Sequence, residues 1–281
     1  MQNWSSALWL VQTNLNMDVA IMARMYETLG TFGLSWGAFP LRPFACDVPA
    51  FPWDGKVIYY GSTRLVQAVN DDPVLKANAA LFYDRETHSV AWYGPRFGTD
   101  YLNAGATRMT AAEVLELPES TAEFFCRPEI GIKLFSGKCM DKSYFRGMVE
   151  QGGSIGDVKL DLSTPVYVND LIQIEKEFRT WWIDGKIAAI VGYRQNGRVI
   201  PWVVDPSSRE YEQIEEFALD QGMKIREIGA VVLDVAITEK GLKVVEINTI
   251  HSSGFYQPEI IPEVVCELTN YVLRRNKDTH A

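Results

Sequence analysis

Apolar residues run almost without interruption over residues 7–13 and then recur at helical spacing over 17–29, just ahead of Gly30. That order predicts a short buried strand followed by a helix. Strands at 33–41 and 56–61 and a helix at 63–69 continue the alternation, so the first hundred residues have α/β character. Residues 81–97 are rich in aromatic side chains and broken by Arg85-Glu86-Thr87-His88, the pattern of a hairpin or of a loop lying on the surface. Thr110 followed by Glu113 is a capping-box pair that starts a short helix, Pro118 ends it, and residues 122–127 read as a strand.

The second half carries explicit turn chemistry. Three strands at 176–183, 186–195 and 198–204 are joined by Asp184-Gly185 and Asn196-Gly197, dipeptides that accept the positive φ angles of two-residue hairpin turns. They form a meander. Asp205-Pro206 stops it, and Ser207 with Glu210 predicts a capped helix that ends at Gly222, with Tyr211, Ile214, Phe217 and Ala218 on one face.

A last hairpin places chemistry on a sheet. Residues 231–238 and 242–248 flank Glu239-Lys240-Gly241, read as a three-residue loop with Gly in the left-handed position. Thr238 then faces Leu242, and Asp234 faces Glu246 with β carbons about 5 Å apart. Asn248 shares their face about 7 Å along the strand, while Leu233, Val235, Ile237, Val245 and Ile247 form the opposite, core face. Facing carboxylates repel unless something offsets the charge. A divalent cation does so, and two carboxylates with an amide oxygen suit Mg²⁺; the plainer reading is an exposed acidic face.

Composition narrows the class. Of 281 residues 47% are apolar and 22% charged, with no low-complexity tract, as in a folded globular chain. A net charge of −9 argues against a surface built to bind nucleic acid or an anionic membrane. With neither a basic start nor a run of about 18 apolar residues, the chain is expected to be cytoplasmic and unanchored. Four scattered cysteines and three dispersed histidines indicate neither a disulfide framework nor a zinc site. Residues 131–138 fail as a P-loop, because five residues rather than four separate the glycines and Cys139 stands where Ser or Thr belongs.

The string VVEINTIHSSGFY, preceded by LDVAIT, resembles the C-terminal signature of ATP-grasp enzymes. The resemblance spans about residues 122–256 and looks closest to RimK-like carboxylate-amine ligases and a compact viral and bacterial branch of that superfamily; YYGS at residues 59–62 is similar to the portion that precedes the ATP-grasp region. It implies an α/β (α+β) ATP-grasp fold: an amino-terminal α/β module (1–105), a central lobe (106–168) and a C-terminal lobe carrying the metal site (169–281). It further implies that Asp234, Glu246 and Asn248 bind Mg²⁺, and that Arg127, where the family usually has Lys, and Lys133 clamp the phosphates of ATP. Asp170, Leu171 and Ile172 fall on the adenine-binding link between the lobes. Glu177 and Arg179 match an acidic-x-Arg unit, the Glu directed to ribose or metal and the Arg to the transferring phosphoryl group, although both also suit pairing across the sheet.

A glycine-rich lid is not evident at the family position, and Gln151 to Gly156 comes later than the pattern asks. His251, Ser252 and Ser253 are candidates either for acceptor contact or for capping a polar loop. The implied reaction joins a carboxylate to an amine of a small molecule, peptide or protein terminus through an acyl phosphate, with Arg179 and Lys133 as catalytic cations. A kinase-like use of the site, or nucleotide binding without turnover, are the alternatives.

Overall fold

The computed structural model describes residues 7–15, 18–42, 48–49, 53–81, 83–118, 123–129, 134–152, 154–155 and 158–278. Its first element, β1 (Ala7–Gln12), is flanked in parallel by β2 (Ser35–Phe39) and β3 (Lys56–Tyr60), with α1 (Val19–Thr31) as the crossover. Every residue of β1 is buried. The cause is cover on both faces, since Trp9 and Val11 pack with Met25 and Leu29 of α1, while Leu8 and Leu10 meet Leu65 and Val69 of α2 (Thr63–Asp71). α1 starts on Asp18, whose carboxylate accepts from Ala20 N at 2.8 Å, and runs past Gly30 to turn at Gly33, φ +62°.

After α3 (Pro73–Asn78), residues 81–97 depart from the hairpin expectation, because 90–97 form α4 (Val90–Phe97). Ser89 caps it, and Val90, Tyr93 and Phe97 bury one helical face against Tyr101, Trp182 and Leu233. The aromatic density and the Gly94-Pro95 pair hide this helix in sequence; tertiary burial of the stripe overrides the weak local propensity.

A second sheet is antiparallel, in the order β4 (Thr107–Thr110), β9 (Pro165–Asn169), β5 (Phe124–Pro128), β6 (Lys138–Met140). α5 (Ala111–Leu115), with its capping box, and α6 (Lys142–Gln151) pack their apolar side chains onto it. Gly152 ends α6 in the left-handed conformation, and β7 (Ser154–Ile155) pairs antiparallel with β8 (Val158–Lys159); Gly153 and Gly156 of the glycine-rich run lie outside the described residues.

The third sheet is antiparallel in the order β12 (Arg198–Val203), β11 (Lys186–Gln195), β10 (Ile174–Ile183), β13 (Ala230–Thr238), β14 (Gly241–Asn248). Asp184, Gly185, Asn196 and Gly197 all have positive φ, as the two hairpin turns require. α7 (Arg209–Met223) is capped by Ser208 rather than Ser207; Asp205 accepts from Ser207 N and Oγ, which shifts the helix start by one residue. α8 (Ile261–Asp278) contacts α1, β1, β10 and β11, joining the first sheet to the third.

In the β13–β14 hairpin, Thr238 faces Gly241 rather than Leu242, so the loop has two residues, not three. A bulge then leaves Val245 unpaired between Val235↔Val244 and Asp234↔Glu246. The two departures cancel, and the carboxylates face each other as expected. They do not cancel for the core: Val244 is fully buried and Val245 only half-buried. The carboxylate face is also covered at its start, where Ala230 and Val232 join the core shared with α1 and α8.

Candidate active site

Strand register lines up three charged residues. Arg179 of β10 faces Asp234 of β13, which faces Glu246 of β14. The first pair is bidentate: Arg179 Nε donates to Asp234 Oδ1 at 2.9 Å and Nη2 to Oδ2 at 2.8 Å. Asn248 closes the row, its Nδ2 donating to Asp234 Oδ2 at 3.0 Å and to Glu246 Oε1 at 3.1 Å. Arg127 arrives from β5 of the second sheet and donates from Nη2 to Glu246 Oε2 at 3.3 Å. Its Nη1 donates to the Val245 carbonyl and to Tyr101 Oη, both at 3.4 Å. Side chains of two sheets thus meet at one cluster.

This arrangement answers the repulsion argument within the protein itself. Each carboxylate has its own guanidinium, and the Asn248 amide bridges both. Asp234 is only 1% exposed; burial raises its carboxyl, Arg179 opposes that, and Glu246 and Glu177 add to the rise. Burial works against the charge of Arg179 and Arg127, but Asp234 beside the first, and Tyr93, Tyr101 and Glu246 beside the second, more than offset it, so both stay protonated. Glu177, one alternation from Arg179, takes different partners: Tyr193 Oη donates to its Oε2 at 2.5 Å and Arg194 Nη1 to its Oε1 at 2.8 Å.

Residues 61–268 match the model of an ATP-grasp domain family, the third of a RimK-related clade. The chain belongs to this family. Among solved structures, the ATP-grasp fold is shared with D-alanine–D-alanine ligase from Bacillus anthracis, at TM-score 0.62 and 13% identity over 98% of this chain and all 100% of that one. A RimK domain ATP-grasp protein from Sphaerobacter thermophilus gives 0.58 at 12% identity, covering 95% of this chain and 99% of that one. The ATP-grasp ligase PsnB complexed with minimal precursor gives 0.55 at 11% identity, covering 96% and 99%. A search of curated proteins finds no match.

In this ATP-grasp chain Asp170, Leu171 and Ile172 lie on the link between β9 and β10, hence between the second and third sheets, outside both ladders. Asp170 and Leu171 are exposed and Ile172 half-buried, so apolar surface is available beside the link. Lys133 lies outside the described residues. His251 and Ser253 are buried and bonded within the fold: His251 Nε2 to the Leu81 carbonyl at 3.1 Å, and Ser253 Oγ to the Thr249 carbonyl at 2.7 Å, the pattern of a capped loop.

Sequence reasoning missed the phenols around the cluster. Tyr101 forms a bridge with Val244 on the edge of β14 and supports Arg127; Tyr193 and Tyr256 stack beside Arg179. Tyr256 stands inside the very string that carried the resemblance, whereas Tyr193 reaches the Arg179 face only through the register shift at Ala188, since the Asp184-Gly185 turn alone would set Ile190 opposite Arg179. No helix of the described residues is long and apolar enough to cross a membrane.

Proposed function

We propose that the chain is an ATP-dependent carboxylate-amine ligase that forms an amide or peptide-like bond and releases ADP and phosphate. The observation that carries this reading is the convergence of Asp234, Glu246 and Asn248 with two arginines from different sheets. The family membership and the ligases of like fold support it.

The donor set fits Mg²⁺. One nitrogen of Asn248 touches an oxygen of each carboxylate, so the three side chains end at a common point, and turning that amide presents its oxygen there instead. Bound Mg²⁺ supplies charge neutralisation on the triphosphate and orients it. The cluster also fits phosphate: Arg127 Nε is buried without an acceptor among the described residues, which leaves a donor for an anionic oxygen.

In the proposed reaction a substrate carboxylate takes the γ-phosphoryl group to give an acyl phosphate, and an amine then displaces phosphate. Arg179 is fixed by Asp234 and offers its guanidinium to the charge that develops on the phosphoryl oxygens. Arg127 holds the neighbouring phosphates from the second sheet, with Lys133 as the second cation of that clamp. Glu177 steadies Tyr193 and Arg194 beside the cluster, and Asp170, Leu171 and Ile172 take the adenine edge. Preorganised cations rather than a general base do the chemical work. The acceptors are an amino acid, peptide or protein terminus.

Single-turnover ADP release tests this, with Mg²⁺ and a panel of amino acids and peptides, followed by mass measurement of products. A condensed product that carries no phosphate is expected. A stable phosphorylated product would favour a kinase-like reaction, and absence of Mg²⁺-dependent ADP release with every pair would sink the reading.

A further inference from the structure

We propose that Tyr256 is a positioning residue for Arg179, holding the guanidinium in the orientation the phosphoryl transfer needs; this rests on the role given to Arg179 above. Tyr256 has φ +62°, in the left-handed region that residues with side chains rarely adopt. Such a conformation persists only where the surroundings over-determine it. Here they do. The Tyr256 ring stacks on Tyr193 with centroids 4.9 Å apart and planes 6° from parallel. Tyr193 is itself anchored, buried and donating to Glu177.

Arg179 Cζ lies 5.0 Å from the Tyr256 centroid and 5.4 Å from that of Tyr193. The guanidinium carbon thus lies over both rings within cation–π range. The rings cover one side of the guanidinium and block its rotation, while Asp234 holds its other side. The backbone contributes as well. Arg179 Nη1 donates to the Gly254 carbonyl at 3.3 Å, and the same short segment is pinned by Tyr60 Oη on the Ser253 carbonyl and by Phe255 stacked on Trp181. Tyr256 is the last of these anchors, and its left-handed backbone is what turns the ring back onto Tyr193. A loop that begins directly after Asn248 is thereby tied to the arginine.

The test uses Tyr256→Gly and Tyr256→Phe in the full chain. Glycine suits a φ of +62°, so it removes the ring without straining the backbone, and the melting temperature should hold. The expected result for Tyr256→Gly is loss of the slowly exchanging Arg179 Nε–H signal in nitrogen-proton NMR. Its kcat for ADP release from Mg-ATP should fall by about ten- to a hundredfold, the scale of a misplaced reacting group, with KM for ATP within about threefold. Tyr256→Phe keeps the stack and should recover both readouts. An unchanged Nε–H signal and kcat in Tyr256→Gly, or a Phe variant as impaired as the Gly one, overturns the proposal. Arg179→Lys separates the two claims: if it turns over ATP like the wild type, the role of Arg179 falls, while the NMR readout still decides whether Tyr256 positions it.

Discussion

Acidification should destabilise this protein through two histidines rather than through its surface carboxylates. His88 and His251 are both buried, and burial pushes each from 6.5 down to about 4; the Asp84 carbonyl and carboxylate oppose this at His88, and the Leu81 carbonyl opposes it at His251, where His88 adds to the fall. Because a carbonyl can only accept, His251 Nε2 carries the proton that is donated to Leu81, and a second proton would sit on Nδ1, which is buried with no partner among the described residues. The unfolded chain therefore binds more protons than the folded one between pH 6.5 and about 4. Stability is complete above that window and is lost as pH falls through it. A drop of that size corresponds to about 3 kcal/mol for each histidine, with a slope of about 1.4 kcal/mol per pH unit while one proton is taken up. Urea unfolding measured in steps from pH 7.5 to 5 should show the midpoint falling. His251→Gln, whose amide can still donate to Leu81 but does not titrate, should flatten the slope by about one proton. The difference between the two proteins isolates His251 from Asp234, whose raised carboxyl acts in the opposite sense. Equal slopes in both, or flat stability over this range, would refute the reasoning. The loop concerned matters to the site, since the His251 carbonyl accepts from Gly61 N at 2.8 Å and the loop leads from Asn248 to Tyr256.

Glu246→Ala should lower Mg²⁺-dependent ADP release by on the order of a hundredfold or more while circular dichroism and melting stay near wild type, because this side chain is 29% exposed and belongs to no apolar core. Arg179→Ala should reduce ADP release far more than adenosine binding. It should also strand the buried Asp234 and destabilise the fold by about 3–5 kcal/mol in urea; adding Asp234→Asn should recover part of that loss, and additive losses would argue against the pair. At Gly229, φ is +81° and an added Cβ would lie 1.9 Å from Tyr271 Oη, so Gly229→Ala should cost about 1–3 kcal/mol beyond the conformational penalty. Gly33→Ala, with φ +62° and open space around it, isolates that penalty.

The charge balance of the cluster ranks its two ion pairs. Arg179 and Asp234 meet through two bonds of 2.8 and 2.9 Å with both side chains almost fully buried, a geometry in which breaking one partner is expensive. Arg127 and Glu246 meet through a single contact of 3.3 Å, with the carboxylate partly in solvent. On the proposed function, an arriving triphosphate competes with Glu246 for Arg127, and the carboxylate serves as a metal ligand. The looser pair, whose carboxylate is partly in solvent, is the one suited to that exchange, and the tighter buried pair to acting as its fixed frame.

What was legible in sequence depended on how local its cause is. The turns at Asp184-Gly185 and Asn196-Gly197, the capping box at Thr110 and the buried run of β1 are set by backbone sterics or by plain burial, and each is where the pattern places it. Helix α4 was hidden because partners distant in sequence, Trp182 and Leu233 among them, give its aromatic stripe a surface to cover. The neutralising arginines were visible as residues, yet their pairing with the carboxylates was not, since Arg127 comes from another sheet 119 positions away. The hairpin is the most instructive case. Its loop is one residue shorter than the turn chemistry suggested, which alone would slide the strands by one and carry Glu246 to the opposite face. The bulge at Val245 restores the face, so the juxtaposition of Asp234 with Glu246 depends on an irregularity that no alternation pattern encodes. Bulges of this kind re-aim side chains, and this one aims Glu246 and Asn248 at Asp234 while it directs Val244 inward in place of Val245.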